Sequence, residues 1–201
     1  MTRLLLGTKN EGKIAEAVEL LAETGGLELL TFSDCPFSDV DETGETFLDN
    51  AILKARAVCI ETGLPVLAED AGLEVVHLDG APGVRSARFS GEPVDYTRNN
   101  ELLLRRMKGV VDRRARFVAV AALRLPDGQT FVTSGVLPGV LADVPTGGGG
   151  FGYDPLFVPV GERARTLAEM TVAEKNRVSH RKRALGRMRP ILLDLLRSGE
   201  F

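Results

Sequence analysis

A short apolar run, a glycine-containing loop, an amphipathic stretch and a second apolar run open this chain, and that order restricts it to an α/β fold. Residues 3–6 read as a strand and residues 7–13 as a loop. Ile14, Ala17, Val18 and Leu21 then recur at helical spacing on one face, which predicts an amphipathic helix. Gly25 and Gly26 stop that helix, and residues 27–32 form the next strand. Strand, loop, helix, strand is the repeating unit of parallel sheets. The same alternation runs to the end without a repeat or a linker, so residues 1–201 read as a single α/β domain.

The later elements follow from their stop signals. A second helix begins at Thr46, whose hydroxyl can cap it with Asp49 three residues on, and ends at Gly63 before Pro65. Leu48, Ile52, Ala55 and Cys59 form its expected inner face, and Thr46, Asn50 and Lys54 a polar stripe on the opposite side, available to a ligand. Residues 66–68 and 73–76 are expected as two strands around the sequence Glu69-Asp70-Ala71-Gly72. Residues 95–108 read as a third helix, and residues 116–125 and 129–136 as a hairpin, so the sheet should be mixed. Residues 156–158 form a short strand, and a last helix from Ser179 turns Ala184, Met188, Ile191 and Leu195 inward, with Pro190 expected to kink or split it.

Composition excludes several functions. The net charge of −3 disfavours general nucleic-acid coating, so any polyanion must be held by a local patch. The apolar runs fall short of a membrane span and the N-terminus lacks a signal-peptide layout, so a cytoplasmic protein with no membrane partner is expected. Two cysteines and two histidines supply neither a zinc site nor a disulfide framework, and Cys35 and Cys59 are expected as buried thiols.

Three regions could carry chemistry. The loop Gly7-Thr8-Lys9-Asn10-Glu11-Gly12-Lys13 lies between a strand and a helix, where backbone N–H groups favour a phosphate. It nearly spells a phosphate-binding P-loop, but Ile14 has no hydroxyl for magnesium, which argues against a P-loop ATPase or kinase. Asp39, Asp41, Glu42, Glu45 and Asp49 occur without an intervening base, and Glu69-Asp70 follow at a strand end. Carboxylates beside a phosphate loop suit a hard divalent cation, and Asp70 could act as a general base. Lys175, Arg177, Arg181, Lys182 and Arg183 form a basic run, with Ser179-His180-Arg181 at the start of the last helix. Beside Phe151 or Tyr153 as a stacking surface, these donors could hold a purine. The same run admits a different reading, a non-catalytic nucleotide- or RNA-binding protein.

Six motifs in fixed order narrow this further: TKNEGK at 8–13, ETGETFLDNAILKA at 42–55, AEDAGLEV at 68–75, GAPGVRSARFSG at 80–91, GFGYDPLF at 150–157 and AEMTVAEKNRVSHRKRAL at 168–185. Together they resemble the inosine/xanthosine triphosphate pyrophosphatase family over essentially the whole chain. The resemblance implies a homodimeric α/β protein with an elongated mixed sheet flanked by helices, and two lobes with a nucleotide cleft between them. It implies magnesium-dependent hydrolysis of ITP, dITP and XTP to the monophosphate and pyrophosphate. By the same resemblance Thr8, Asn10 and Lys13, with Lys54, grip the triphosphate, and Lys9, Glu11 and Gly12 share that loop. Glu42 and Asp70 become the magnesium-side acids, with Asp70 activating water, while Phe151, Gly152, Tyr153, Asp154, Lys175, His180 and Arg181 hold base and sugar. Two positions depart from the family pattern: Glu69 stands where an aspartate is common, and Ala71 where a serine would contact substrate.

Overall fold

The computed structural model describes residues 1–22, 24–162 and 164–201. Six strands form one sheet in the order β2-β1-β3-β4-β5-β6. Their ranges are β1 Thr2–Leu6, β2 Leu27–Leu30, β3 Val66–Val75, β4 Arg114–Arg124, β5 Thr130–Leu141 and β6 Phe157–Pro159. The helices are α1 Glu11–Leu21, α2 Phe47–Thr62, α3 Tyr96–Arg106, α4 Val172–Val178 and α5 His180–Ser198. β1 runs parallel to β2, with Leu5 opposite Leu30, and parallel to β3, with Leu5 opposite Val66. β5 and β6 are antiparallel, with Leu141 opposite Phe157, so the sheet is mixed as expected. Gly139 permits this last pairing, because a Cβ there would run into the Phe157 ring.

The chain divides into two compact units. The first comprises residues 1–70, 119–135 and 181–201, and the second residues 71–118 and 136–180. In the first, Leu4, Leu5 and Leu6 of β1 are buried with Val66, Leu67 and Ala68 of β3. Near-continuous apolar runs of this kind mark strands covered on both faces. The second has its own core, in which Leu73, Leu103, Phe117, Leu137, Leu156 and Phe157 pack together.

Five expectations need correction. The strand expected to break at Glu69-Asp70-Ala71-Gly72 is one uninterrupted β3 of 10 residues, because sheet pairing overrides the turn preference of that stretch. Pro190 lies inside a single α5 rather than dividing it; Pro190 and Gly186 are both exposed, so water can satisfy the carbonyl that the proline leaves unpaired. On α1 Val18 is 40% exposed, whereas Glu16 is buried. On α2 Leu48 is 44% exposed, and Asn50 is buried beside Ala51 and Ala55. Within the polar stripe Asn50 therefore faces inward, while Lys54 is half-buried and Thr46 stays exposed. Cys59 is buried, but Cys35 is only half-buried, and both thiols are free.

Candidate active site

In the first unit the loop between β1 and α1 is built by close approach and by capping. A Cβ on Gly7 would stand 2.9 Å from Val66 Cγ1 and 3.1 Å from Ala68 Cβ, so only glycine lets the loop leave β1 against β3. The Thr8 hydroxyl accepts from the Asn10 N–H at 3.2 Å, and the Asn10 carboxamide caps α1 by accepting from the Lys13 N–H at 3.0 Å. Glu11 is the first helical residue, followed by Gly12. Lys13 is thereby carried into the interior, with Nζ 3.9 Å from Glu69. Burial pulls its pKa below the ordinary lysine value; Glu69 opposes this, and the like charges of Lys54 and Arg181 add to it. Lys9 points elsewhere. Its ammonium pairs with Asp39 at 2.8 Å and lies 4.5 Å from the centroid of the Phe32 ring.

Neighbouring residues of a strand point to opposite faces, and this separates the two acids that adjoin in sequence. Glu69 turns toward α5, where its carboxylate accepts from Arg181 Nε at 2.7 Å and Nη2 at 2.8 Å. Glu16 of α1 pairs with Nη1 of the same guanidinium. Arg181 is 2% exposed; burial works against its charge, but the two carboxylates outweigh that and raise its pKa. Asp70 turns toward α2, where Asn50 Nδ2 donates to it at 3.2 Å and Lys54 Nζ approaches to 3.5 Å. The same ammonium donates to Glu42 at 2.8 Å, so Glu42 and Asp70 converge on one cation. Asn50 also accepts from the Gly44 N–H at 2.8 Å, tying the segment that bears Glu42 to Asp70. Burial raises the Asp70 pKa above the ordinary carboxylate value, and Glu42 adds to the rise, while Lys54, Lys13 and Asn50 oppose it.

The second unit holds a different group. Residues 151–154 are folded by their own aspartate: Asp154 Oδ2 accepts from the Phe151 N–H at 2.9 Å and from Lys175 Nζ at 2.6 Å. Gly150, at φ +70°, leaves room for that carboxylate, which a Cβ would strike. Lys175 is buried, and its Nζ lies 4.7 Å from the centroid of the half-buried Phe151 ring. α4 delivers it, capped by Thr171, which accepts from the Glu174 N–H. Tyr153 belongs to the core rather than to a stacking surface; its hydroxyl donates to Ser86 O at 2.9 Å, and burial raises its pKa. His180 stacks on Phe117 with the rings 4.8 Å apart and 10° from parallel. Ala71, within β3, presents a methyl where a hydroxyl was expected to contact substrate.

Of the sequence-nominated acids, only Glu42 and Asp70 meet. Asp49 closes the α2 capping box instead, and Asp41 and Glu45 are exposed. Two residues escaped nomination. Glu16 and Asn100, which donates to Gly152 O at 3.0 Å, have partners 165 and 52 residues away. Asn50 was visible only as one position of a helical stripe.

A model of the Ham1 family matches residues 4–191. The chain belongs to the Ham1 family. This Ham1 chain is 48% identical over 200 residues to the dITP/XTP pyrophosphatase of Streptomyces coelicolor, covering 98% of this chain and 100% of that protein. It is 50% identical over 185 residues to the dITP/XTP pyrophosphatase of Thermus thermophilus, covering 91% and 88%. The solved structure of a HAM1 protein from Coxiella burnetii superposes with a TM-score of 0.88 at 37% identity, covering 96% of this Ham1 chain and 100% of that one.

Proposed function

We propose that this chain hydrolyses purine nucleoside triphosphates of the ITP, dITP and XTP class to the monophosphate and pyrophosphate. The observation that carries this reading is the convergence of Asp70 and Glu42 on Lys54, with half-buried Lys13 in the same unit in the first turn of α1. The names of the relatives, dITP/XTP pyrophosphatases, support the choice of substrate.

The first-unit group is read as the triphosphate and metal site. Among the described residues no cluster of three or more histidine, cysteine or acid side chains occurs. Two carboxylates around one cation nevertheless suit magnesium, which takes few protein oxygens and keeps waters that bridge to phosphate. Glu42 and Asp70 would hold it, and it would supply Lewis-acid neutralisation of phosphate charge. Asp70, at hydrogen-bond reach of Asn50 and beside Lys54, accepts the proton of the attacking water. The water oxygen bonds to phosphorus as the bridging P–O bond breaks. Lys13 and Lys54 offset charge on the phosphates, with Thr8, Asn10 and the opening N–H groups of α1 as further donors. Lys9, Glu11 and Gly12 shape that loop.

The second-unit group is read as the base site. The base lies against Phe151, Lys175 donates to a 6-oxo group, and Gly152, Tyr153 and Asp154 fix the loop. His180 belongs to the same unit, whereas Arg181, held by Glu16 and Glu69, is a substrate donor read in the first unit. Adenine presents an amino donor at that position and would leave a buried donor unpaired, a loss that discriminates strongly. With Ala71 in place of a hydroxyl, that contact is apolar.

A homodimer in the cytoplasm goes with this reading. Val136 and Val140 give β5 an exposed apolar face that a second copy would cover. Among the described residues no helix is long and apolar enough to cross a membrane.

The test is pyrophosphate release with magnesium, comparing ITP, XTP and dITP with ATP and GTP. Preference for the first three, abolished by EDTA, is the expected result. A folded protein without turnover, binding RNA tightly with a steep salt dependence, would overturn it in favour of a binding module that uses the exposed Lys182 and Arg183.

A further inference from the structure

α3 is absent from the six sequence motifs, yet it grips the loop at 151–154. Asp95 caps it by accepting from the Arg98 N–H at 3.0 Å. Asn100 Nδ2 donates to Gly152 O at 3.0 Å, while Asn100 Oδ1 is buried and has no hydrogen-bond partner among the described residues. Tyr96, one turn earlier on the same helical face, has its Cε1 3.9 Å from where a Cβ on Gly152 would stand. The preceding Asn99 is fully buried, accepting from the Ser90 N–H at 2.7 Å and donating to Ala87 O at 2.8 Å. That same segment presents the Ser86 carbonyl to which Tyr153 donates. Two consecutive asparagines therefore secure Gly152 directly and Tyr153 through the Ser86–Ser90 stretch.

The geometry points to Asn100 as a positioning residue for base selection, holding the Gly152 peptide so that Phe151 and the Asp154–Lys175 pair keep their spacing. This rests on the reading of residues 151–154 and 175 as the base site. Gly150 and Gly152 both have positive φ, at +70° and +65°, and glycines impose no path of their own. The direction of Phe151 must be set from outside the loop. A leucine of similar size would fill the same space without the carboxamide. What the carboxamide adds is its donor to Gly152.

The test measures kcat and KM for ITP and ATP in the wild type, Asn100→Leu, Asn100→Asp and Phe151→Ala, with circular dichroism to establish folding. For Asn100→Leu the KM for ITP should rise about tenfold while kcat changes by less than about twofold, the split expected when ground-state and transition-state binding fall together. The preference for ITP over ATP should fall by about the same factor. Asn100→Asp keeps the size and sets an acceptor against the Gly152 carbonyl, so its loss should be at least as large. A packing role would make this near-isosteric change the milder one. Unchanged preference in the folded variants, a loss confined to kcat, or a milder effect for Asn100→Asp would overturn the inference. If Asn100→Leu does not fold, Asn100→Asp decides it alone. Unchanged preference in Phe151→Ala would instead break the base-site reading, whereas a loss there with wild-type behaviour at Asn100 would sink this inference only.

Discussion

The first unit gathers Lys13, Lys54 and Arg181 against Glu16, Glu42, Glu69 and Asp70, whereas the second sets one ring, Phe151, beside one ion pair, Asp154–Lys175. In the first, two cations are each shared between acids: Lys54 reaches two and Arg181 two others. In the second, shape and a fixed loop dominate. The contrast fits a division of labour, since phosphate charge is met by a field that several groups share. Base identity is read by unpaired-donor penalties at one spot.

The sharpest way to separate the two is by kinetics. Asp70→Asn should lower turnover by about a hundredfold or more while leaving base preference intact, because it removes the general base and one of the two carboxylates that would hold magnesium but touches nothing in the Phe151 group. Pyrophosphate release from ITP and ATP checks both halves, and a turnover within a few fold of wild type would remove Asp70 from the mechanism.

Stability gives a second contrast. Arg181→Met removes the guanidinium that Glu16 and Glu69, both buried, share and should cost about 3–5 kcal/mol. Lys175→Met strands only Asp154 and should cost less, about 2–3 kcal/mol. Urea unfolding of both variants tests the ordering, and a larger loss at Lys175 would break the view of the first unit as the shared network.

The smallest effect is a pH dependence. The folded Asp70 carboxyl titrates above its unfolded value, so between those two values the folded protein binds more protons than the unfolded chain. Its contribution to stability is therefore lost as pH rises through that window. In EDTA, Asp70→Asn should melt higher than wild type above the window and approach it below. The same gap at every pH would show that Asp70 is not the titrating group.

Much of this arrangement was legible because local chemistry fixes it. Thr46 and Asp49 form the α2 capping box, and Gly63, at φ +67°, ends α2 by donating to Cys59 O. Asn10 lies at the start of α1 as the strand, loop, helix order requires. Other features depend on what lies across the fold. Glu69-Asp70-Ala71-Gly72 has turn-like residues, yet it lies in a strand flanked in the sheet order by β1 and β4. The split of Glu69 from Asp70 follows only once that strand is known. The partners of Glu16 and Asn100 are remote in sequence, and no periodicity announces them.

The continuity of β3 has a consequence for motion. Amide protons in a strand with neighbours on both sides exchange with solvent only when the sheet itself opens. Asp70 is carried there, whereas Thr8, Asn10 and the Phe151 loop lie between elements. On the proposed mechanism the carboxylate that would take the proton is thus attached to sheet backbone, and adjustment to arriving nucleotide would fall to loops and side chains. Warming that loosens those loops would erode grip and base choice before it disturbed the aim of the base.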